Sequence, residues 1–406
     1  MIRSRLLIAT ALLLGLGVAA VAGEPVRPEV GKPLQAAQEF IRQKGYKDAL
    51  AKVREAETVP DRTAYETVLI EQLRGIAAAG AGDQATAIRS FETLIAGGQL
   101  SPAEQLRFSE AIAELAYQAK DYRKTITWTD RYYKQGGTDA RLRKFVAQAY
   151  YLQGDFANAA KELQDQIDAE ERAGRTVPEE QLQLLASAYL KQNDGVGYAA
   201  VLEKLVASHP TPDYWADLIR RVTTRSGFAD RLRLDVGRLA LNAGAVNTSG
   251  RYVELTELAL QAGLPGEAKA IIQKGTAVGV LGLGNGADTD RQKRLRDLAT
   301  RSAEDDLKAL PANEKEASAA RDGTGLVNTG LDYIGHGQLE KGISLIEQGI
   351  RKGGLKHPED AKLRLGVAYL AAGHKDKAIQ IFRSVDGSDG TADLARLWIL
   401  QAGRSS

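Results

Sequence analysis

The apolar and polar positions of this chain alternate with a helical period almost throughout. In "LRLGVAYLAAGHKDKAIQIF" (363–382), Leu365, Gly366 and Tyr369 share one helical face. Gly373 then interrupts the pattern, and Ala378, Phe382 and Val385 resume it at i, i+4 and i+7. Two antiparallel helices joined by a tight turn fit this spacing. Gly366 and Ala378 stand where larger apolar residues would serve a helix equally well. Glycine costs about 1 kcal/mol relative to alanine inside a helix, so it marks a crossing where two backbones come close. No segment of any length has the two-residue period of a strand.

The same grammar recurs upstream. "VNTGLDYIGHGQLEKGISLIEQGI" places Gly330, Tyr333, Gly337, Gly342 and Ile346 in the same relative positions. "LLASAYLKQNDGVGYAAVLEKLVASHP" places Leu185, Ala186, Tyr189, Leu202 and Leu205 there, and closes on Pro210. "FVAQAYYLQGDFANAAKELQDQI" has Ala147, Tyr150, Gly154, Phe156, Ala159 and Leu163. Further copies centre on Ala113 and Thr125, on Gly75, Ala87 and Phe91, on Tyr46 and Ala49, and more weakly on Ala259 and Ala268. The steps are 34 residues from Thr125 to Ala159, 36 from Gly342 to Ala378, and 38 from Ala49 to Ala87 and from Ala87 to Thr125. Eight copies at such steps predict stacked helix pairs, each burying its apolar face on the next.

These copies resemble the tetratricopeptide repeat, a helix–turn–helix unit of about 34 residues with a Leu-Gly, a Tyr, an Ala and a Phe at set places. In the last copy those are Leu365-Gly366, Tyr369, Ala378 and Phe382. The expected fold is all-α: an α-solenoid with an irregular helical middle and a C-terminal capping helix. Residues 23–33 read as an extended, proline-rich lead-in and 34–210 as an N-terminal array. Residues 211–320 form the irregular middle, with a long charged helix after "VGVLGLGNGADTD". Residues 321–406 hold two more repeats and the cap (391–400), where Leu394, Leu397, Trp398 and Leu400 would cover the last apolar face.

Residues 1–22 read as a secretory signal peptide: Arg3 and Arg5, an uncharged run from Leu6, then Ala20 and Ala22 at a small-x-small cleavage site. No later stretch is apolar enough to span a membrane. The chain has 54 Lys+Arg against 52 Asp+Glu, and the excess of two is Arg3 and Arg5. The processed chain is therefore formally neutral, so nothing in its totals favours nucleic acid. It has no cysteine, so neither a disulfide nor a lipid-anchoring cysteine is available. The expected address is the periplasm, with full secretion as the alternative.

Candidate chemistry is sparse. His209, His336, His357 and His374 fall in turns or repeat ends without metal-ligand spacing, and read as solvated. "GLGNGA" (282–287) lacks the strand-to-helix context of a phosphate loop. Trp128, Trp215 and Trp398 read as packing residues, Glu179-Glu180 as acids at a helix start, and "NTS" (247–249) as a helix cap. Neither a catalytic site, a metal nor a cofactor is expected.

The remaining function is that of a surface. The resemblance implies a concave groove lined by the first helices of successive pairs. Its positions map to Arg107, Glu110, Glu114 and Tyr117, to Arg141, Lys144, Gln148 and Tyr151, and to Glu180, Gln183, Ser187 and Lys191. The family's carboxylate clamp is absent: Lys144 matches one place, but Gln148 and Leu184 stand where asparagines belong. The expectation is a non-catalytic scaffold for a protein or peptide partner in a cell-envelope assembly. The alternative is a glycan-acting enzyme or carbohydrate-binding protein on a helical toroid, with its site in 211–320. The oligomeric state is not encoded in any pattern found.

Overall fold

A computed structural model describes residues 25–282 and 286–403. The leader expected over 1–22 and residues 283–285 of the glycine-rich turn lie outside the described residues. Among the described residues there are twenty α-helices and one 3-10 turn, and no strand. The chain divides into two compact units at 195/196.

Unit 1 holds four helix pairs and a ninth helix. The pairs are α1 (Pro28–Arg42) with α2 (Tyr46–Glu57), α3 (Ala64–Ala81) with α4 (Gln84–Ala96), α5 (Pro102–Gln118) with α6 (Tyr122–Lys134), and α7 (Ala140–Leu152) with α8 (Phe156–Arg172). The ninth helix is α9 (Glu179–Lys191). The lead-in is shorter than expected, because α1 begins at Pro28, inside the proline-rich stretch. Proline at the first helical position has no amide to waste and a φ already set for a helix. Pro33 sits only one turn further in, so helix and proline coexist.

The turns inside three of the four pairs follow one recipe; the α1/α2 turn has Gly45 and no side-chain cap instead. Gly82, Lys120 and Gly154 adopt a left-handed φ of 81°, 61° and 83°. Each precedes an aspartate that caps the second helix: Asp83 accepts from the Thr86 amide (3.0 Å), Asp121 from Lys124 (3.0 Å) and Asp155 from Asn158 (3.2 Å). The crossing follows a second recipe, a small residue facing a large one. A Cβ added at Gly75 would sit 2.6 Å from Phe91 Cδ1. The core built this way runs continuously from Val30 to Ala116.

Unit 2 begins with α10 (Gly195–Ser208) and α11 (Pro212–Thr223), followed by the 3-10 turn (Asp230–Leu232). Next come α12 (Arg233–Asn242), α13 (Ser249–Gln261), α14 (Pro265–Ala277) and the long charged helix α15 (Ala287–Ala319). The two C-terminal pairs are α16 (Thr324–Gly335) with α17 (Leu339–Lys352), and α18 (Pro358–Ala371) with α19 (Lys375–Arg383). The last helix is α20 (Thr391–Gly403). The small-on-large crossing is repeated where a Cβ at Gly366 would lie 2.6 Å from Phe382 Cδ1. Helix α20 caps as expected: Leu394, Leu397 and Trp398 are buried, and Trp398 stacks on Phe382 with ring centroids 6.1 Å apart.

α20 does more than cap, because unit 2 closes on itself. The Gln401 amide donates to Asn242 Oδ1 (2.8 Å), and the Ala229 amide to the Asp389 carbonyl (2.9 Å). Arg231 bridges Asp360 (2.9 Å) and Asp389 (2.5 Å). Beneath these, Asp235 is 1 % exposed and lies between Arg238 (2.6 Å) and Arg364 (2.9 Å), and Arg238 also pairs with Glu267 (2.6 Å). The region without repeat grammar is therefore joined to the C-terminal repeats by these ion pairs as well as by a close contact of Gly390 with the Phe228 ring.

His336 departs from its expected solvated setting. Its side chain is 9 % exposed and its Nε2 meets Asp306 Oδ2 of α15 at 2.8 Å. His374 stays half-exposed at the head of α19, 3.1 Å from Glu340. Next to the His336–Asp306 pair, Asp332 has a shielded Oδ1 with no hydrogen-bond partner. Burial, reinforced by the Asp306 charge, pushes its carboxyl up to about 7. A carboxyl whose folded pKa is raised favours folding while protonated, and that contribution is lost as pH rises from about 4, the unfolded value, through about 7. Asp332→Asn is thus expected to stabilise the protein at pH 8 by about 1 kcal/mol, after allowance for solvent screening, and to change nothing at pH 4. Thermal melts of parent and variant at the two pH values check this; a variant less stable than its parent at pH 8 contradicts it.

Candidate functional site

The twelve candidate residues sit on the first helices α5, α7 and α9 of unit 1. Each helix starts where its local sequence says it should. Ser101 and Glu104 form a reciprocal capping box ahead of α5, Asp139 caps α7 by accepting from the Arg141 amide, and Pro178 precedes two acids in the first turn of α9. The buried stripe of each helix fixes its rotation: Ile112, Leu115 and Ala116 in α5, Leu142, Val146 and Ala149 in α7, and Leu182, Leu185 and Ala188 in α9.

The structure brings most of the candidates into contact with each other. The Tyr117 hydroxyl of α5 donates to Gln148 Oε1 of α7, and the Tyr117 ring stacks on Phe145 at 4.6 Å. Tyr151 and Ser187 share a hydrogen bond of 2.6 Å between α7 and α9. Arg141 of α7 meets Glu110 of α5 at 3.3 Å and Glu114 at 3.7 Å, while its Nε donates to Asp139 (2.7 Å). These contacts form a ladder across three consecutive first helices. The penultimate residue of one helix reaches the next first helix, and the arginine opening a helix reaches acids on the helix before.

Burial shapes the electrostatics of the ladder. Desolvation raises the carboxyls of Glu110 and Glu114, with Arg141 pulling both back down. The hydrogen bond from Arg141 holds Asp139 below the ordinary carboxylate range. Burial also raises the Tyr117 hydroxyl, which keeps it a neutral donor.

Other candidates stay open. Lys144 and Glu180 are exposed and both line a cavity of about 110 Å³, together with Gln148, Leu163, Gln166 and Leu184. Gln183 is exposed and donates to Glu179 (3.1 Å), and Lys191 is exposed at the end of α9. The face therefore has two parts: a cross-linked framework (Glu110, Glu114, Tyr117, Arg141, Gln148, Tyr151, Ser187) and accessible charges and amides (Lys144, Glu180, Gln183, Lys191). Arg107 belongs to neither.

Sequence reasoning missed Phe145 and Asp139, which position Tyr117 and Arg141. The cap position of Asp139, two residues before Arg141, was the available signal. It also missed a cavity of about 330 Å³ in unit 2 between α11, α12 and α13, floored by Ile219, Val246 and Leu255 and rimmed by Arg233, Glu254 and Arg251. Trp215 and Trp398 are buried, as packing residues should be, while Trp128 is partly exposed and donates to Glu92 (3.3 Å). Among the described residues, no group of three or more His, Asp or Glu is placed to hold a metal ion, and no helix is long and apolar enough to cross a membrane.

Residues 360–386, which are α18, α19 and the turn between them, match the tetratricopeptide repeat family model. Those are the residues in which Gly366 faces Phe382, the arrangement that recurs in unit 1. This one helix pair is therefore a tetratricopeptide-like repeat unit. No curated protein sequence matches it. Among solved structures it is similar to a tetratricopeptide repeat protein from Parabacteroides merdae (12% identity, covering 68% of this chain and 100% of that one, TM-score 0.33). It is also similar to yeast Tom70 (11%, 92% and 95%, 0.25) and to the maize pentatricopeptide repeat protein PPR10 (14%, 95% and 58%, 0.28). Tetratricopeptide-repeat arrays generally serve as scaffolds for protein partners, because stacked pairs present one extended face built from many small units.

Proposed function

We propose that this helical-repeat protein is a non-catalytic periplasmic scaffold that binds a protein partner of a cell-envelope assembly across the α5/α7/α9 face. The observation that carries the reading is the ladder itself. Tyr117–Gln148, Tyr151–Ser187 and Arg141–Glu110 hold three first helices in fixed register, so the open groups Lys144, Glu180, Gln183 and Lys191 are presented on a rigid frame. Preorganisation of this kind reduces the entropy lost on binding. The leader pattern over 1–22 and the absence of cysteine support export.

Exchanging the two charges that line the small cavity tests the surface. The variant Lys144→Glu with Glu180→Lys keeps the net charge and alters only exposed groups. It is expected to fold normally and to lose at least tenfold in partner co-purification from the soluble envelope fraction. Unchanged recovery would remove this face from the account, and recovery of the parent only in the cytosolic fraction would remove the periplasmic address. The second reading, a ligand-binding or glycan-acting protein with its site in 211–320, is favoured by the 330 Å³ cavity at α11–α13. Saturable glycan binding that is abolished by filling the cavity with Ala240→Phe would support it.

A further inference from the structure

The cavity of about 330 Å³ in unit 2 lies where the repeat recipe fails. α11 and α12 are joined by the irregular residues 224–232 instead of a short turn. Gly237 of α12 is the small residue of a crossing, but the atoms its Cβ would meet all belong to Leu255 of α13, so the space beside α11 is left open. Phe228 of the connecting segment forms one wall. Its ring is backed by Gly390, where a Cβ would overlap it. The same segment is pinned by the Ala229 amide, which donates to the Asp389 carbonyl (2.9 Å), and by Arg231, which pairs with Asp360 (2.9 Å). The wall is therefore set by unit 2 itself, and a preformed site loses less entropy on binding.

The floor of the cavity is aliphatic: Ile219, Ala240, Val246 and Leu255 are all buried side chains. The one hydroxyl in its lining, on Thr223, already donates to the Arg220 carbonyl (3.1 Å). A sugar would strand its own hydroxyls on such a floor, whereas a hydrocarbon chain loses nothing there. The rim carries both signs of charge. Arg233 and Glu254 pair with each other at 2.7 Å, while the exposed side chains of Asp230 and Arg251 make no hydrogen bond or ion pair among the described residues. A head group with one charge would be attracted to one of these two and repelled by the other. We propose that this cavity binds a single-chain zwitterionic amphiphile, its alkyl chain on the aliphatic floor and its phosphate and ammonium groups at Arg251 and Asp230. Sites for small molecules span about 300–1,000 Å³, so a cavity at the small end suits one short chain rather than a two-chain lipid. The site lies wholly in unit 2, is independent of the α5/α7/α9 face, and takes a ligand class other than the glycan of the second reading.

The test titrates the full chain by calorimetry with alkylphosphocholines below their micellar concentrations. Octylphosphocholine is expected to bind, and phosphocholine without a chain is not. Hexylphosphocholine should bind more than about tenfold more weakly, because each buried methylene contributes about fourfold. Octyl sulfate and octyltrimethylammonium, each with a single charge, should bind about threefold more weakly than the zwitterion. Two exposed substitutions keep the test clear of folding. Arg251→Gln should weaken octylphosphocholine about threefold, and Arg294→Gln, at an exposed arginine on α15, should leave it unchanged. Ala240→Phe, which fills the floor, should abolish binding. Absence of octylphosphocholine binding, an affinity indifferent to chain length, equal binding of the three head groups, or equal losses in Arg251→Gln and Arg294→Gln would overturn the proposal. So would retained binding in a folded Ala240→Phe. Saturable binding of maltohexaose in place of the amphiphile would also overturn it, and would return the cavity to the glycan reading.

Discussion

Replacing Arg238 with alanine is expected to destabilise unit 2 by about 3–5 kcal/mol, the cost of leaving a buried charge unmatched. Arg238 is the hub of the network that closes the unit: it pairs with Asp235 on its own helix and with Glu267 on α14. Desolvation alone would push the Asp235 carboxyl up, but Arg238 and Arg364 together hold it below the ordinary range. A carboxylate with a lowered folded pKa supplies stability that is present above about pH 4 and lost as pH falls through the folded value. Removing Arg238 should therefore matter most near neutrality, and the gap to the parent should narrow in acid. Urea unfolding followed by fluorescence measures it, since Trp215 and Trp398 are both buried in unit 2. A loss under about 1 kcal/mol at pH 7 would mean that the network is decoration on a unit held by its apolar core.

The second large effect is steric. α16 and α17 meet backbone to backbone: a Cβ on Gly330 would lie 2.7 Å from both the Gly342 carbonyl oxygen and Ile346 Cγ1. One on Gly342 would overlap the Gly330 carbonyl, and one on Gly349 would come 2.6 Å from the Gly323 carbonyl. Gly330→Ala gains about 1 kcal/mol of helix propensity. It then forces two helices apart along a contact where the opposing atom is a carbonyl that no rotamer can move. The steric cost should win, for a net loss of about 1–3 kcal/mol. Gly250 in α13 is the control, because a Cβ there meets nothing within 4 Å. Gly250→Ala should stabilise by about 0.5–1 kcal/mol. Melting temperatures moving in opposite directions would confirm the crossing, and two stabilised variants would contradict it.

How much of this was legible in the sequence depends on how far apart the partners lie along the chain. The left-handed turn followed by an aspartate cap is local, and Gly82-Asp83 and Gly154-Asp155 announce it directly. The facing of Gly75 by Phe91 and of Gly366 by Phe382 spans one helix pair and shows as a repeated spacing. The closure of unit 2 does not, because Asp235 and Arg364 are 129 residues apart and neither belongs to a periodic pattern. His336 looked solvated because its partner Asp306 lies on a different helix 30 residues upstream. The start of α1 is earlier than the proline content of 23–33 implies, because Pro28 begins a helix rather than marking extended chain.

The candidate face was legible as positions and not as roles. The repeat register put Arg107, Arg141 and Glu180 at one level and Tyr117 and Tyr151 at another. Which of them face each other, and which are left over, depended on helix-to-helix distances that no spacing rule supplies. The register alone did not show that Tyr117 and Tyr151 spend their hydroxyls within the face, or that Arg107 lacks the acids that Arg141 has.

The most direct test of the central claim is site-specific photo-crosslinking in cells, with the probe at the exposed positions Lys144, Gln183 and Lys191 and, as a control, at exposed Lys161 on α8. The account predicts one discrete partner captured from the three face positions and not from Lys161. Equal capture from all four positions, or capture from Lys161 alone, would contradict the claim that α5, α7 and α9 form the working surface.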